Sequence, residues 1–451
     1  MDCALIFIIT INSWRCNIFA KQHHTMIHQL YEHFKAHPHV STDTRKITKG
    51  SIFFALKGPN FDANQFAEEA LEKGAALAVV DDKRVMKDDR YFLVEDVLTA
   101  LQDLARHHRD QLSIPVIGLT GSNGKTTTKE LIYSVLSKRY STLATQGNLN
   151  NHIGVPLTIL SIQPGHEIAV IEMGANAVGE IALLSSIAKP SHGLITNIGR
   201  AHLEGFGGIE GVIRGKSELY QHLINTGGVV WINSNSHVLS NMAKRFKNPL
   251  MYPNKGDYYH CELEGTEPYL KIRTGEGKVL STQLAGKYNF DNIACALCIG
   301  KFFDVNPGDS AEAIEKYRPQ NMRSEIIVKG SNRIILDAYN ANPDSMAVAL
   351  ENLGEQHGEK KVAILGDMNE LGAESEKEHR NLGKMVAKMS LDKVYLCGKL
   401  IGVALEELTN AVHFDTRQEL ESYLKAHPVK NSLVLMKASR GIGLEKVMEY
   451  L

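Results

Sequence analysis

The chain of 451 residues lacks the features that mark several common classes of protein. Its 50 lysines and arginines balance 51 aspartates and glutamates, so it carries neither a basic field for nucleic acid nor an acidic tail. The apolar run at residues 4–11 is too short to cross a bilayer. Six cysteines are scattered, and the pair Cys295 and Cys298 has no second pair nearby, which favours reduced core thiols over zinc or redox chemistry. These absences leave a globular chain of two or three domains.

Residues 1–25 are unlike the sequence that follows them. A secretory signal would carry basic residues before the apolar run, but Asp2 stands there instead. From Met26 onward the sequence is that of an ordinary globular protein. We therefore expect residues 1–25 to be an over-extended or non-native leader, with a weak membrane anchor as the alternative.

Hydrophobic patterning predicts three α/β segments after this leader. The first, residues 26–110, ends shortly before Pro115. Its predicted elements include helices at 66–73 and about 97–110 and a strand at 77–80. From Val116, strands alternate with amphipathic helices, which predicts a doubly wound, mostly parallel sheet with a β-hairpin added within 251–284. Its predicted elements include strands at 168–172 and 229–233 and a helix at about 289–302. The third segment begins near residue 320, and its predicted strands run into polar loops, where open α/β sheets gather ligands.

The most informative segment is VIGLTGSNGKTTTKE, residues 116–130. An apolar strand breaks into a glycine turn, and an amphipathic helix opens at Lys125. Backbone N–H groups and the helix dipole at such a junction bind phosphate, Lys125 adds a point charge, and Thr126 offers a hydroxyl to Mg²⁺. Leu119 stands where the usual motif has its first glycine. The segment predicts a site for a nucleoside triphosphate.

Three downstream side chains are candidates for the same site, each with a plainer alternative. Glu172 ends the predicted strand 168–172 and is a Mg²⁺ ligand or an ordinary strand-end acid. His202 follows another strand and is a functional or merely solvated loop histidine. Lys216 lies within an apolar helical face. In the interpretation that the pattern alone favours, its aliphatic stem covers the core while the amine snorkels to water. In the alternative, the amine is buried, has a depressed pKa and reacts with CO₂ to form a metal-binding carbamate.

Paired asparagines occur twice in the later sequence. Asn289 and Asn292, three residues apart before an alanine-rich helix, either bind a base edge or cap the helix. Asn340 and Asn342 lie in DAYNANPDS and either bind substrate or serve the turn before Pro343.

Several long segments in one order resemble the Mur ligases of peptidoglycan synthesis. They are TGSNGKTTTKE, the segment TQGNLNNHIGVPLT from Thr145, and IEMGA, DAYNANPDS and LGDMNELG. The resemblance runs from about Met26 to the end. It implies a small N-terminal α/β domain for the UDP-muropeptide at 26–110, a central P-loop domain with a doubly wound parallel sheet for ATP at 111–319, and a C-terminal Rossmann-like α/β domain at 320–451.

The resemblance also implies roles for residues whose letters match the family. Lys125, His202 and Lys216 would be catalytic. ATP would be bound by Gly121, Ser122, Asn123, Gly124, Lys125, Thr126, Thr127, Asn289, Asn292, Arg323 and Asp337. Two Mg²⁺ ions would be held by Thr126, Glu172, His202 and Lys216 as its CO₂-derived carbamate, which reverses the preference for snorkelling. The other substrates would contact Thr42, Thr44, Arg45, Lys57, Gly58, Thr145, Asn148, Asn150, Asn151, Asn340 and Asn342.

The chain departs from the family pattern at three places. Tyr288 stands where many members have histidine, Ala438 replaces the glycine of KGSR, and Ala63 replaces a usual glycine. None of these removes a charged catalytic group, so they concern binding detail.

The implied reaction is ATP-dependent amide bond formation. The branch of the family resembled most joins D-alanyl-D-alanine to UDP-N-acetylmuramoyl-tripeptide through an acyl phosphate. The alternatives are the branch that adds the third-position diamino acid, whose Asp-Asn-Pro-Arg signature is absent, and a non-catalytic NTP-binding partner. The resemblance implies a cytoplasmic, monomeric enzyme without nucleic-acid binding or stable membrane insertion. It leaves open the third residue of the tripeptide and the base that deprotonates the incoming amine.

Overall fold

The structure, a computed structural model, describes residues 24–451, so residues 1–23 of the predicted leader lie outside the described residues. No helix within the described range is long and apolar enough to cross a membrane. The chain divides into two compact units. One contains the described residues up to Val116 with Thr145–Ile171 and Leu183–Lys189, and the other contains Ile117–Ala144, Glu172–Ala182 and Pro190–Leu451.

The N-terminal segment folds around a four-stranded sheet with the strand order β1-β2-β5-β6. All its neighbours pair in parallel, which requires a crossover between successive strands. Its core packs small and aromatic side chains, such as Phe53, Ala67 and Tyr91. The strands are β1 (Val40–Ser41), β2 (Ile52–Phe54), β3 (Lys57–Gly58), β4 (Phe61–Asp62), β5 (Leu77–Val80) and β6 (Tyr91–Leu93), and the helices are α1 (24–36), α2 (Ala67–Glu72) and α3 (Val97–Asp110).

The middle segment forms a six-stranded sheet with the order β12-β11-β10-β7-β9-β8. Its strands β7 and β9 are buried along their whole length, as is usual where helices cover both faces. The strands are β7 (Val116–Thr120), β8 (Thr142–Ala144), β9 (Ile168–Glu172), β10 (His192–Ile195), β11 (Val229–Asn233) and β12 (Leu250–Tyr252). The helices are α4 (Lys125–Leu136), α5 (Gly154–Leu160), α6 (Glu180–Ala188), α7 (Leu203–Phe206), α8 (Ile209–Thr226), α9 (His237–Ala243), α10 (Asn289–Phe302) and α11 (Pro307–Lys316).

A small antiparallel sheet precedes α10. Its three strands are β13 (Cys261–Gly265), β14 (Lys271–Thr274) and β15 (Val279–Ser281), paired in chain order. The β-hairpin predicted within 251–284 is therefore present, extended by one strand.

The C-terminal segment forms a second six-stranded sheet with the order β16-β17-β21-β18-β19-β20, parallel except for β16. Alternate residues of its strands enter two separate cores, one on each face, because side chains alternate across a strand. The strands are β16 (Glu325–Lys329), β17 (Asn332–Leu336), β18 (Lys360–Gly366), β19 (Lys393–Cys397), β20 (Ala411–Phe414) and β21 (Ser432–Lys437), and the helices are α12 (Pro343–Glu355), α13 (Ser375–Val386) and α14 (Arg417–Ala426).

These elements confirm the predicted fold class, a three-part α/β chain with parallel sheets. The element bounds differ locally from those expected. The helix predicted from Phe66 begins as a 3-10 turn at Ala63, because the Asp62 carboxylate accepts the Asn64 N–H and caps that turn. The exact domain boundaries of the sequence analysis stay predictions.

Candidate active site

The glycine turn after β7 adopts backbone conformations that only glycine adopts easily. Gly121 and Gly124 have φ angles of 151° and 78°. A Cβ atom on Gly121 would lie 1.9 Å from the Thr196 Oγ1, and one on Gly124 would lie 2.7 Å from the Asn292 Oδ1. Both glycines are therefore required by space as well as by φ.

Side chains after β10 hold the turn in place. The Asn197 Oδ1 accepts the Asn123 N–H at 2.9 Å, and the Asn197 Nδ2 donates to the Asn123 carbonyl at 3.0 Å. The Ser122 hydroxyl donates to the Gly199 carbonyl at 3.0 Å. The first-turn N–H groups of α4 have no partner inside the helix, so this fixed turn presents them as an anion site.

Lys125 and Thr126 begin α4 beside the end of β9. The Lys125 Nζ donates to the Gly121 carbonyl at 2.8 Å. Burial lowers the pKa of Lys125, and the nearby Glu172 charge opposes that shift. The Thr126 Oγ1 donates to the Glu172 Oε1 at 3.3 Å, and both side chains are buried, as is Thr127. The structure thus brings the predicted phosphate lysine, hydroxyl and carboxylate together.

Lys216 is enclosed in the protein rather than reaching water. Its side chain, on α8, is 1% exposed, so the snorkelling interpretation is wrong. The Nζ donates to the Ala175 carbonyl at 3.2 Å and lies 5.0 Å from the centre of the Phe206 ring. Burial, assisted by the charge of Lys125, lowers the pKa of Lys216 to about 7. Ala175 lies in the loop that Glu172 begins, so the amine adjoins the predicted metal site.

His202 faces the third segment of the chain. It has a left-handed φ of 54°, which is uncommon for histidine and is often found at functional sites. Its Nδ1 contacts the carboxylate of Glu370, in the loop LGDMNELG. The hydrogen bond from His202 lowers the pKa of Glu370. His202 therefore belongs to a contact between the middle and C-terminal segments.

Asn289 and Asn292 are buried on the first turns of α10, and neither caps that helix. The Asn292 Oδ1 accepts from the Thr128 hydroxyl at 2.9 Å, and its Nδ2 donates to the Asn289 Oδ1 at 3.0 Å. The Asn289 Nδ2 donates to the Ala285 carbonyl at 2.7 Å. The capping alternative is wrong, and the pair connects α10 to the phosphate-loop helix.

Asp337 and Arg323 lie near the carboxyl ends of the C-terminal strands. The Asp337 carboxylate accepts from the buried Lys437 Nζ at 2.6 Å and from the Ser324 N–H at 3.3 Å. The Arg323 guanidinium lies 3.9 Å from the centre of the Tyr339 ring, a stacked cation–π geometry. The planar guanidinium fork of Arg323 suits a phosphate or carboxylate ligand.

Asn340 and Asn342 have mainly structural contacts. The Asn340 Oδ1 accepts the Ala341 N–H at 2.9 Å. Asn342 caps α12 with Ser345 as a capping box, which confirms the turn interpretation. In addition, its Nδ2 donates to the Asn123 Oδ1 in the phosphate loop at 2.8 Å.

The predicted contacts for the UDP and muropeptide ends lie in the N-terminal unit. The Arg45 guanidinium donates two hydrogen bonds to the Asp43 carboxylate, at 2.9 and 2.8 Å, and the two residues alternate in sequence with Thr42 and Thr44. Lys57, next to Gly58, pairs with Asp81 at 2.7 Å. The segment with Thr145, Asn148, Asn150 and Asn151 leads into α5, where the Asn151 Oδ1 accepts the Gly154 N–H at 2.9 Å.

A cavity of about 430 Å³ in this unit is lined by residues from Pro38 to Ser41, by Lys46, Thr48 and Ser51, and by four residues at and after the end of α5, which are Leu157, Leu160, Ser161 and Gln163. None of the eleven predicted substrate residues lines it. Their substrate roles stay predictions.

The residues around Thr126 fit a Mg²⁺ ion. Magnesium takes oxygen ligands and usually shares them with substrate phosphates, and the Thr126 and Glu172 oxygens meet beside the phosphate-binding turn. Within residues 24–451, no group of three or more His, Cys, Asp or Glu side chains forms a metal cluster. The metal roles of Thr126, Glu172, His202 and Lys216 stay predictions.

Three family profiles match the chain in succession. They are described as the Mur ligase family catalytic domain at residues 38–109, the Mur ligase middle domain at 119–300, and the Mur ligase glutamate ligase domain at 322–440. A UDP-N-acetylmuramoyl-tripeptide–D-alanyl-D-alanine ligase from Bacillus subtilis is 37% identical over 440 residues, covering 94% of this chain and 95% of its own. The chain belongs to the Mur ligase family. The predicted family is thereby confirmed.

Solved structures agree with this assignment. MurF from Acinetobacter baumannii superposes with a TM-score of 0.82 at 34% identity, covering 91% of this Mur ligase and 92% of its own chain. A MurF ligase from Thermotoga maritima, solved in complex with ADP, gives a TM-score of 0.80 at 30% identity, covering 91% and 96%. The use of ATP by this Mur ligase is supported by that complex.

Sequence reasoning missed several residues that hold the site of this Mur ligase together. Asn197 fixes the phosphate loop, Glu370 pairs with His202, and Lys437 pairs with Asp337. Each lies at or after the carboxyl end of an apolar strand, which is a recognisable signal. The signal does not say which partner each residue meets, since the partners are far apart in the chain.

Proposed function

We propose that this Mur ligase joins D-alanyl-D-alanine to UDP-N-acetylmuramoyl-tripeptide, with ATP converted to ADP and phosphate. The observation that carries the proposal is the match to an enzyme named for this reaction over nearly the full length of both chains. The phosphate turn, with Lys125, Thr126 and Glu172 around it, supplies the chemistry that such a reaction needs.

In the first half-reaction, the carboxylate of the tripeptide attacks the γ-phosphorus of ATP, an acyl phosphate forms, and ADP leaves. The α4 N-terminus and the Lys125 amine are placed to neutralise charge on the phosphates. Thr126 and Glu172 would hold a Mg²⁺ ion, with His202 and Lys216 at a second one. Bound Mg²⁺ supplies further neutralisation of phosphate charge.

Lys216 supports a carbamate because its buried amine is neutral enough to react. With a pKa of about 7, about half of the amines are neutral at pH 7, against about one in three thousand for an ordinary lysine. The neutral nitrogen attacks the carbon of CO₂, a C–N bond forms, and the nitrogen loses a proton to solvent. The resulting anion would face the loop of Ala175 and Glu172.

In the second half-reaction, the amine of D-alanyl-D-alanine attacks the acyl carbonyl and phosphate leaves. An acyl phosphate reacts with water, so the site has to exclude water while the dipeptide enters. Contacts such as Asn342 to Asn123 bring the C-terminal segment against the phosphate loop. That arrangement suits a segment that delivers the second substrate.

The other branches considered are not favoured. An enzyme that adds the third-position diamino acid, or a non-catalytic NTP-binding partner, does not account for the full-length match to a D-alanyl-D-alanine ligase. We place the enzyme in the cytoplasm, as a monomer.

A substrate-omission assay tests the proposal. Phosphate release from ATP should require Mg²⁺, UDP-N-acetylmuramoyl-tripeptide and D-alanyl-D-alanine together, with the pentapeptide product identified by mass. Equal turnover without the dipeptide, or with a single amino acid in its place, would refute the assignment.

A further inference from the structure

Arg200 connects the loop before α7 to two helices of the C-terminal segment. Its backbone N–H donates to the Asp344 Oδ2 at 2.6 Å, and its Nε donates to the Asp344 Oδ1 at 2.8 Å. Its NH1 donates to both carboxylate oxygens of Glu378, at 3.1 and 3.2 Å. Asp344 lies in the first turn of α12 and Glu378 in the first turns of α13. One guanidinium thus bridges two helices that are distant in sequence.

The contact is energetically important because Glu378 is buried. The Glu378 side chain is only 7% exposed, whereas Arg200 and Asp344 are 43% and 33% exposed. A carboxylate buried to that extent needs a cationic or hydrogen-bonding partner, and Arg200 donates to both of its oxygens. The planar fork of arginine suits this geometry better than the point charge of lysine.

Two other contacts join the same two segments of the chain as Arg200 does. Two residues along the chain, His202 pairs with Glu370, and in the phosphate loop Asn123 accepts from Asn342. All three contacts join loops at the ATP site to loops and helix ends of the C-terminal segment. Their common position indicates one docking surface, with Arg200 as its most strongly charged member.

The linker into the C-terminal segment is strained in this arrangement. Asn321, Met322 and Ser324 have left-handed φ angles of 65°, 58° and 53°. Such conformations have an energetic cost for residues other than glycine. Contacts across the docking surface have to offset that cost.

We propose that Arg200 is a positioning residue of the ligase reaction. Through Asp344 and Glu378 it holds the C-terminal segment against the loop of His202 and against the phosphate turn. The dipeptide amine is thereby positioned to attack the carbonyl of the acyl phosphate. This rests on the proposed function. Arg200 acts through these carboxylates, so its loss lowers kcat by roughly 10- to 100-fold, the range expected for misplaced reactants, and leaves the KM for ATP within about threefold.

The test separates positioning from simple stability. Arg200→Ala alone leaves Glu378 buried without its arginine and is expected to unfold more easily. Arg200→Ala combined with Glu378→Gln removes the buried charge and should restore the melting temperature while kcat stays low. Arg200→Lys should recover part of the lost kcat. Arg380→Ala is the matched control, because Arg380 also pairs with several carboxylates, those of Glu376, Glu406 and Glu407, but inside the C-terminal segment.

Either of two kinetic results would overturn the proposal. One is wild-type kcat in the folded double variant, and the other is a raised KM for ATP at unchanged kcat. Hydrogen exchange supplies a readout that does not depend on ligation: amides 198–204 and 341–346 should exchange faster in the double variant and unchanged in Arg380→Ala. Unchanged exchange in the double variant refutes the docking role, whereas failure of the wild type to ligate the dipeptide refutes only the proposed function.

Discussion

Replacing Lys216 by methionine should stabilise the protein while abolishing its activity. The amine is 1% exposed, and burial lowers its pKa from the ordinary value of 10.5 to about 7. Between these two values the unfolded chain binds a proton that the folded chain does not, so the shift destabilises the fold. The penalty is absent above pH 10.5, grows as the pH falls, and is complete below pH 7. Methionine has a similar length and no charge, so it avoids the penalty.

The pKa shift sets the size of the effect. It corresponds to a penalty of roughly 5 kcal/mol at pH 6.5 and roughly 1–2 kcal/mol at pH 9.5. Losing the hydrogen bond from the Lys216 Nζ to the Ala175 carbonyl costs about 1–3 kcal/mol at either pH. The net gain at pH 6.5 is therefore roughly 2–4 kcal/mol, or several degrees in melting temperature, and it disappears near pH 9.5.

Thermal unfolding in bicarbonate-free buffer at the two pH values measures this difference. Lys244→Met is the control, because Lys244 is exposed at the end of α9 and its replacement should give a pH-independent change. The reasoning is refuted if Lys216→Met is less stable than the wild type at pH 6.5, or if its difference from the wild type is the same at both pH values.

Three further changes test the site. Gly124→Ala should weaken ATP binding at least about tenfold, because the new Cβ would meet a side-chain oxygen at 2.7 Å. The control is Gly147→Ala, which is also at positive φ but has open space around it and should keep its ATP affinity. Equal ATP affinities of the two variants would contradict the steric argument. Glu172→Gln should raise the Mg²⁺ concentration for half-maximal activity about tenfold in a Mg²⁺ titration, and an unchanged value would remove Glu172 from the metal site. Asp337→Asn leaves the buried Lys437 amine without its carboxylate and should cost about 3–5 kcal/mol of stability in denaturant unfolding. A loss below about 1 kcal/mol would show that the fold does not need this ion pair.

Local features of the fold followed directly from the sequence. The helices predicted at 97–110 and 289–302 are present with those bounds, and the strands at 77–80, 168–172 and 229–233 are as well. These elements are long or strongly patterned, so local propensity and burial agree. The start of α2 was misplaced because the 3-10 turn before it depends on one side chain, Asp62, accepting a nearby N–H.

Predictions about the roles of individual side chains were less reliable where the role depends on whether the side chain is buried. Lys216 fits a snorkelling pattern on its own helix, and it is enclosed only because Phe206 and the loop of Ala175 cover it. Asn289 and Asn292 fit helix caps, yet they point into contacts with Ala285 and Thr128. Periodicity describes one helix and carries no information on what packs over it.

The sequence by itself determined the phosphate turn at Gly121–Thr126, because a strand, two glycines and a helix start are consecutive and need only local geometry. It also determined the alternation of strands and helices, and hence the parallel sheets. The tertiary structure decided which distant groups surround that turn: Glu172 beside Thr126, the buried Lys216, and the contacts of Arg200, His202 and Asn123 with the C-terminal segment. Those pairings join residues up to 219 positions apart, and only the packing of whole sheets and helices brings them within hydrogen-bond distance.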